Sequence, residues 1–306
     1  MKHKKIAVLN INSLEGEAFK NFLNDHPLEN IDVFYFQGKE TILTSSQNGA
    51  SLILEERQEN LMDFPLVIDL KKKRKKIFKI DGLYLSLHFD KKSKLIFYGI
   101  NQSDLHLSKF LGIPHPLTCL LLRIFEKFLK NPPEAIFCNI VLSTSEEGKE
   151  GQDELYNQTI ALLNFSNIDK KIYKGQVAFN MSLISDLSLQ NRIKNEMSFF
   201  FKDIFPLNIQ FVKSGTFYGL LSFINIIFSN QNNKNDFNDW LFGKEDFVFS
   251  LKDEGVVEAV QNGKVFAKLN DNKDKKTLNL IIFADHFYSG LSYNLYNLTK
   301  EFFQDK

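Results

Sequence analysis

Apolar residues follow two rhythms along this chain, and the change from one to the other marks its organisation. Ile6-Ala7-Val8-Leu9 is a short continuous apolar run, and Ala18, Phe19, Phe22 and Leu23 then return at helical spacing, so strand, turn and helix follow one another. Ile31 to Phe36 predicts a second strand, and Leu66-Val67-Ile68-Asp69-Leu70 a further, buried one. After Gly82, Leu83, Leu85, Leu87 and Phe89 alternate with Tyr84, Ser86 and His88, the pattern of a strand with unequal faces, and Leu95 to Ile100 is predicted as its neighbour.

The second half changes character. An apolar helix is predicted from Leu117 to about Leu129, stopped by Asn131-Pro132-Pro133, with a clear strand over Ala135 to Leu142. Glu154 to Leu163 is expected to be helical, Leu207 to Val212 and Leu220 to Phe228 to be strands, and Lys234 to Asp239 to be a polar loop. Phe247 to Leu251, Val256 to Val260, Val265 to Leu269 and Leu278 to Phe283 predict more strands, separated by Asp, Gly and Asn turns, before an amphipathic helix over about Tyr288 to Phe303. Strand–helix–strand units followed by a strand-rich region imply an α/β nucleotide-fold domain and then an α+β domain. No internal repeat is present.

Composition narrows the classes. The chain has 306 residues, 43% hydrophobic and 25% charged, enough for two cores and without the signature of wholesale disorder. Its 38 basic and 37 acidic residues nearly cancel, so no overall field attracts nucleic acid or an anionic membrane, and neither is expected as a partner. The basic run Lys71 to Lys76 is expected to be a solvated face, and Phe199, Phe200 and Phe201 fit a helix packed on a sheet better than a base-stacking platform. The apolar stretch Phe217 to Phe228, interrupted by Ser222 and Asn225, falls short of the ~20 residues a bilayer requires. Met1 to Lys5 leads directly into a strand without the features of a signal peptide. With only Cys119 and Cys138 no disulfide framework is suggested, and a cytoplasmic protein is expected.

Several short motifs carry more weight through their order than singly. Gly99-Ile100-Asn101 precedes Asp104-Leu105; His115-Pro116-Leu117-Thr118 opens the apolar helix; Gly148-Lys149-Glu150-Gly151 precedes Glu154-Leu155; Val177-Ala178-Phe179-Asn180 follows; and Asp285, Gly290 and Asn294 open the last helix. With the opening strand and turn, this succession resembles the aspartate-semialdehyde dehydrogenase family over nearly the whole chain, least firmly over 37–94. The resemblance implies a Rossmann-type nucleotide-binding domain over 1–116, completed by a C-terminal helix over 286–306, and an α+β dimerisation domain over 117–285. Asp285 and its followers match the start of the returning helix.

In that family a cysteine thiolate attacks the acyl carbon, a histidine moves protons, hydride passes to or from NADP, and phosphate enters or leaves. On this chain the nucleophile position holds Thr118, a hydroxyl far harder to ionise than a thiol at a helix N-terminus. Cys119 lies one residue on, ~100° further round the helix, and is expected to be a buried apolar residue, with nucleophile the alternative. The histidine position is Leu220, the active-site glutamine position Leu142, and the carboxylate-binding arginine position Lys213, which keeps charge without the bidentate fork. Glu196 matches the glutamate of a Glu-Thr-Arg segment; Lys213 and Glu196 either bind an anion or pair on a solvated face. His286 stands at an asparagine position near the nicotinamide and is expected to be a capping or surface residue. The glycines of the Gly-x-x-Gly-x-x-Gly turn become Asn10, Ser13 and Gly16, with Glu15 beside them, a turn suited to folding more than to a pyrophosphate.

The sequence therefore implies a catalytically inactive member of the family, with no cofactor expected, or NADP if the family site is retained. Its expected role is structural or regulatory, as a homodimer or a heterodimer with an active paralogue. Two alternatives stay open: an active dehydrogenase with a rearranged site using Thr118 or Cys119, and a sensor holding an anionic metabolite near Lys213.

Overall fold

The computed structural model describes residues 4–38, 42–46, 49–74, 77–88, 94–184, 187–249, 254–270 and 274–304. The chain divides into two compact units, Met1–Cys119 with Gly290–Lys306, and Leu120–Ser289. Both divisions fall a few residues later than the sequence places them. Phe89, Lys75, Lys76 and Leu251, which figure in the sequence-based expectations, lie outside the described residues.

The first unit is a doubly wound sheet. Lys5–Leu9 (β1) leads through a turn into Leu14–Asp25 (α1), then come Asp32–Phe36 (β2), Ile42–Ser46 (β3), Gly49–Leu54 (β4), Gln58–Leu61 (α2), Leu66–Asp69 (β5), Leu83–Ser86 (β6) and Phe110–Gly112 (β7). The sheet order is β3-β4-β2-β1-β5-β6-β7, parallel except for β3 against β4. Because β1 is followed by β2 on one side and flanked by β5 on the other, the winding reverses at β1, where folds of this kind open a ligand crevice at the strand C-termini. Burial of Ile6, Ala7, Val8 and Leu9 on both faces explains why β1 reads as a continuous apolar run. The predicted strand over Leu95 to Ile100 is corrected: only Leu95 makes a bridge, to Gly112, and Phe97 begins a turn. Asn101 folds that turn on itself, its amide accepting from Phe97 N–H at 2.9 Å and donating to Leu95 O at 2.9 Å. The final helix, Tyr293–Gln304, packs on α1 and on the turn over 102–106.

Between the units in sequence runs Pro116–Phe125 (α3), ending in a 3-10 turn over Glu126–Leu129. The second unit contains Ala135–Leu142 (β8), Gly148–Leu163 (α4), Met181–Leu183 (β9), Ser188–Phe201 (α5), Leu207–Ser214 (β10), Leu220–Ile227 (β11), Gln231–Phe242 (α6), Phe247–Phe249 (β12), Val256–Asn262 (α7), Val265–Asn270 (β13) and Thr277–Ala284 (β14); the final helix is α8. Its sheet runs β12-β13-β14-β11-β8-β10-β9 with mixed directions. Alternation in β8, β11 and β14 buries Ile136, Ile140, Ile224, Ile226, Leu280 and Ile282 on one face. Ile193, Met197, Phe200 and Phe201 of α5 are buried, and this helix packs on β10.

In the second unit two further elements depart from the expectation. Val256 to Val260 is helical, because Glu258 reaches back to accept from Gly255 N–H at 2.9 Å and Gly263 ends the turn at φ 61°, a local cap that outweighs β-branched composition. Lys234 to Asp239 lies inside α6, capped by Asn230, whose side chain accepts from Asn233 N–H at 2.9 Å, while Phe237 and Leu241 bury one face. Polar residues on the outer face of a short amphipathic helix look like a loop when the two anchors are overlooked.

Candidate functional site

In the first unit the turn after β1 carries Asn10 and Ser13 at two of the three positions where a phosphate-binding turn has glycine and keeps Gly16 at the third. Asn10 has a positive φ of 63°, a conformation asparagine tolerates better than most residues. Ser13 caps α1, its Oγ accepting from Gly16 N–H at 3.1 Å and donating to Asn10 O at 2.9 Å. Gly16 is required by close approach: a Cβ there would sit 2.4 Å from Ile11 O.

Two donors at the mouth of this turn are already taken by side chains. Asn10 N–H donates to Glu56 Oε1 at 3.0 Å, and Asn12 N–H to Gln37 Oε1 at 3.1 Å. Glu56 is in turn held by both terminal nitrogens of Arg74 at 3.2 Å, and Arg74 also pairs with Asp69, which accepts from Tyr84 Oη at 2.6 Å. Burial and then the Asp69 charge push the Tyr84 hydroxyl well above the ordinary tyrosine range. Glu15 is buried and lies 2.9 Å from Lys72 Nζ. Of the four described residues of the basic run, Lys71 and Lys73 are exposed as a solvated face requires, whereas Lys72 and Arg74 turn inward to carboxylates and depart from that expectation. As they stand, these residues do not fit a pyrophosphate, which would meet the carboxylate of Glu56 at the Asn10 N–H.

At the start of α3, Pro116 occupies the first turn and His115 Nδ1 accepts from Leu117 N–H at 3.3 Å. Thr118 is fully buried. Cys119 is fully buried too, its Sγ 3.5 Å from Pro114 O and 3.9 Å from Asn294 Nδ2. Asn294 accepts from Tyr98 N–H at 2.8 Å, so it ties α8 to the loop before the 102–106 turn.

In the second unit one rung of the sheet collects three of the positions singled out from sequence. Lys213 on β10 pairs with Leu142 on β8, Leu142 with Leu220 on β11, and Leu220 with Ala284 on β14. Leu142 and Leu220 are buried side by side, an apolar pair with no proton to exchange. Lys213 is buried, with its side chain 6% exposed; Nζ lies 2.6 Å from each oxygen of Glu147 and donates to Ser143 O at 3.3 Å. His286 follows the same rung by two residues and is fully buried, not at the surface, with Nε2 3.3 Å from Glu146 Oε2. Asp285 caps the turn that follows, accepting from Phe287 N–H at 2.9 Å, and its own burial pushes its carboxyl above the usual range. Glu196 is not on this rung: it is buried in α5 and pairs with Arg192 Nε at 2.7 Å, one helical turn away.

Glu146 and Glu147, adjacent in the 3-10 turn Thr144–Glu147, therefore supply carboxylates to His286 and Lys213. Neither glutamate stands out from sequence, nor does Glu56; the available signal was a pair of acidic residues directly before the Gly148-Lys149-Glu150-Gly151 motif.

Among the described residues no group of three or more His, Cys, Asp or Glu is arranged to hold a metal ion, and no helix is long and apolar enough to cross a membrane.

Comparison with known proteins agrees with the resemblance seen in the motifs. Aspartate-semialdehyde dehydrogenases of Rickettsia conorii and Rickettsia bellii are each 27% identical over 173 residues, 52% of this chain and 51% of theirs, so the chain spans about half the length of the curated relatives it matches. An aspartate semialdehyde dehydrogenase II of Vibrio cholerae superposes with a TM-score of 0.81 at 16% identity, covering 100% of this chain and 99% of that one. A probable aspartate-semialdehyde dehydrogenase of Pseudomonas aeruginosa gives 0.79 at 17% identity, with 98% of both chains covered. At these identities the structures establish a shared fold. No protein-family profile matches the chain. The two-domain fold is that of the aspartate-semialdehyde dehydrogenases, and the sequence resemblance to that family holds over half the chain.

Proposed function

We propose that the chain is an aspartate-semialdehyde dehydrogenase-like protein that does not catalyse the family's reaction and acts instead as a structural or regulatory partner in a dimer. The observation that carries this reading is the Lys213–Leu142–Leu220 rung, where the positions matching the family's glutamine and histidine form a buried apolar pair and the cation is engaged by Glu147. Thr118 at the thiol position works in the same direction, because nucleophile and base act as a unit and loss of either costs orders of magnitude in rate. The expectation that NADP is not bound draws support from the β1–α1 turn, where the N–H groups of Asn10 and Asn12 are engaged by Glu56 and Gln37.

The dimer reading draws on the open face of the second sheet. Phe137 on β8 and Phe223 on β11 are 43% and 45% exposed, and Val141, Val212, Ile227, Ile281 and Phe283 are half-buried around them. A broad face of this kind is suited to burial against a second copy or an active paralogue. Sedimentation of the purified protein, alone and mixed with such a paralogue, tests it: a dimer is expected, and a strict monomer in both cases would end the dimer reading. An NADPH titration should give no saturable binding.

A further inference from the structure

A cation buried as deeply as Lys213 needs an anion, and the anion it has is the more exposed member of the pair. Glu147 is 31% exposed against 6% for Lys213, and its two oxygens take three contacts: both lie 2.6 Å from Lys213 Nζ, and Oε2 also accepts from Tyr173 Oη at 3.0 Å. The cradle is built independently of Glu147. Ser143 O anchors Lys213 Nζ from the end of β8 at 3.3 Å. Tyr173 is placed by the carboxylate of Glu154, which accepts from the backbone N–H of Lys171 at 2.9 Å, of Ile172 and of Tyr173 at 3.2 Å. Gly151 leaves the room for its ring, since a Cβ there would stand 2.6 Å from Tyr173 Oη. Burial and the nearby Glu147 charge hold the Tyr173 hydroxyl protonated, so it is a donor.

We propose that Lys213 and Tyr173 form a carboxylate-binding pocket and that Glu147 is its built-in ligand, one that a small free carboxylate replaces when the Glu147 side chain is absent. The proposal deepens the reading above, in which Lys213 stands at the family's carboxylate-binding position, and adds that the position is occupied by the chain itself. The ammonium of Lys213 can only donate, and Tyr173 gives its one hydrogen to the same carboxylate, a charged pair of donors that favours an anion over a neutral amide.

The test is chemical rescue in the full-length chain, with acetate as probe and chloride matched for ionic strength. Glu147→Ala should lower the melting temperature, and acetate at tens of millimolar should recover at least half of that loss in a saturable way. The wild-type chain should gain much less, and Glu147→Ala combined with Lys213→Met should lose the acetate response altogether. An equal response in the single and double variants, or none in either, overturns the proposal. If Glu147→Ala does not fold, Glu147→Ser replaces it, and folding of the alanine variant in acetate but not in chloride counts in favour. Turnover of a semialdehyde by the wild-type chain would sink the inactive reading while leaving the rescue result intact, so the two failures are distinguishable.

Discussion

The Lys213–Glu147 pair makes an asymmetric prediction, because its members differ so much in exposure. Replacing Glu147 by Gln leaves a buried ammonium with only Ser143 O and an amide oxygen for company. Breaking a buried pair by removing one partner costs about 3–5 kcal/mol, and the partial exposure of Glu147 argues for the lower end, about 3 kcal/mol. Replacing Lys213 by Met instead leaves a carboxylate that is 31% exposed and still accepts from Tyr173, so water can take over. That change should cost no more than about 1 kcal/mol, the usual worth of one hydrogen bond or partly exposed ion pair. At about 2–4 °C per kcal/mol for a domain of 150–250 residues, Glu147→Gln should melt about 6–12 °C below wild type, and Lys213→Met should stay within about 4 °C. The double variant should resemble Lys213→Met, since the buried charge is gone. Thermal unfolding of the four proteins in one buffer decides it. A Lys213→Met loss equal to or larger than that of Glu147→Gln would refute the assignment of Lys213 as the buried, dependent partner.

Gly16→Ala would place a Cβ 2.4 Å from Ile11 O, so denaturant unfolding should show a loss of about 2 kcal/mol or more, against the few tenths usual for glycine to alanine near a helix start. Asp285 has a raised folded-state pKa from burial, so its contribution is fully present below the unfolded value and is lost as pH rises through the folded one. Asp285→Asn, which can still accept from Phe287 N–H, should therefore gain stability relative to wild type as pH increases from about 4, measured as the difference in unfolding free energy across the series; a constant difference would contradict the burial argument. Phe223→Arg on the open sheet face should shift sedimentation from dimer to monomer with the melting profile of each unit kept, and an unchanged sedimentation coefficient would place the dimer contact elsewhere.

Strands were legible where their burial is periodic or continuous: β1, β5, β8, β10, β11, β13 and β14 coincide with apolar runs or alternations. Helices α6 and α7 were not, because two or three buried anchors and a local cap decide them against their overall composition. Strands β3, β4, β7 and β9 were missed; Phe110–Gly112 and Met181–Leu183 are too short to show a period. At the site, sequence located Lys213, Leu142 and Leu220 separately, and strand register brings them onto one rung. The partners Glu147, Glu146 and Glu56 were illegible, because acidic residues are common on surfaces and only the fold reveals which of them face a buried cation or a backbone N–H. His286 was expected as a capping or surface residue, and its burial beside Glu146 corrects the surface alternative.

The account stands or falls on turnover. Purified protein incubated with NADPH and an acyl phosphate, and with NADP, phosphate and a semialdehyde in the reverse direction, should show no steady change in NADPH absorbance above a protein-free control. Sustained, enzyme-proportional turnover in either direction, abolished by changing Thr118 or Cys119, would contradict it.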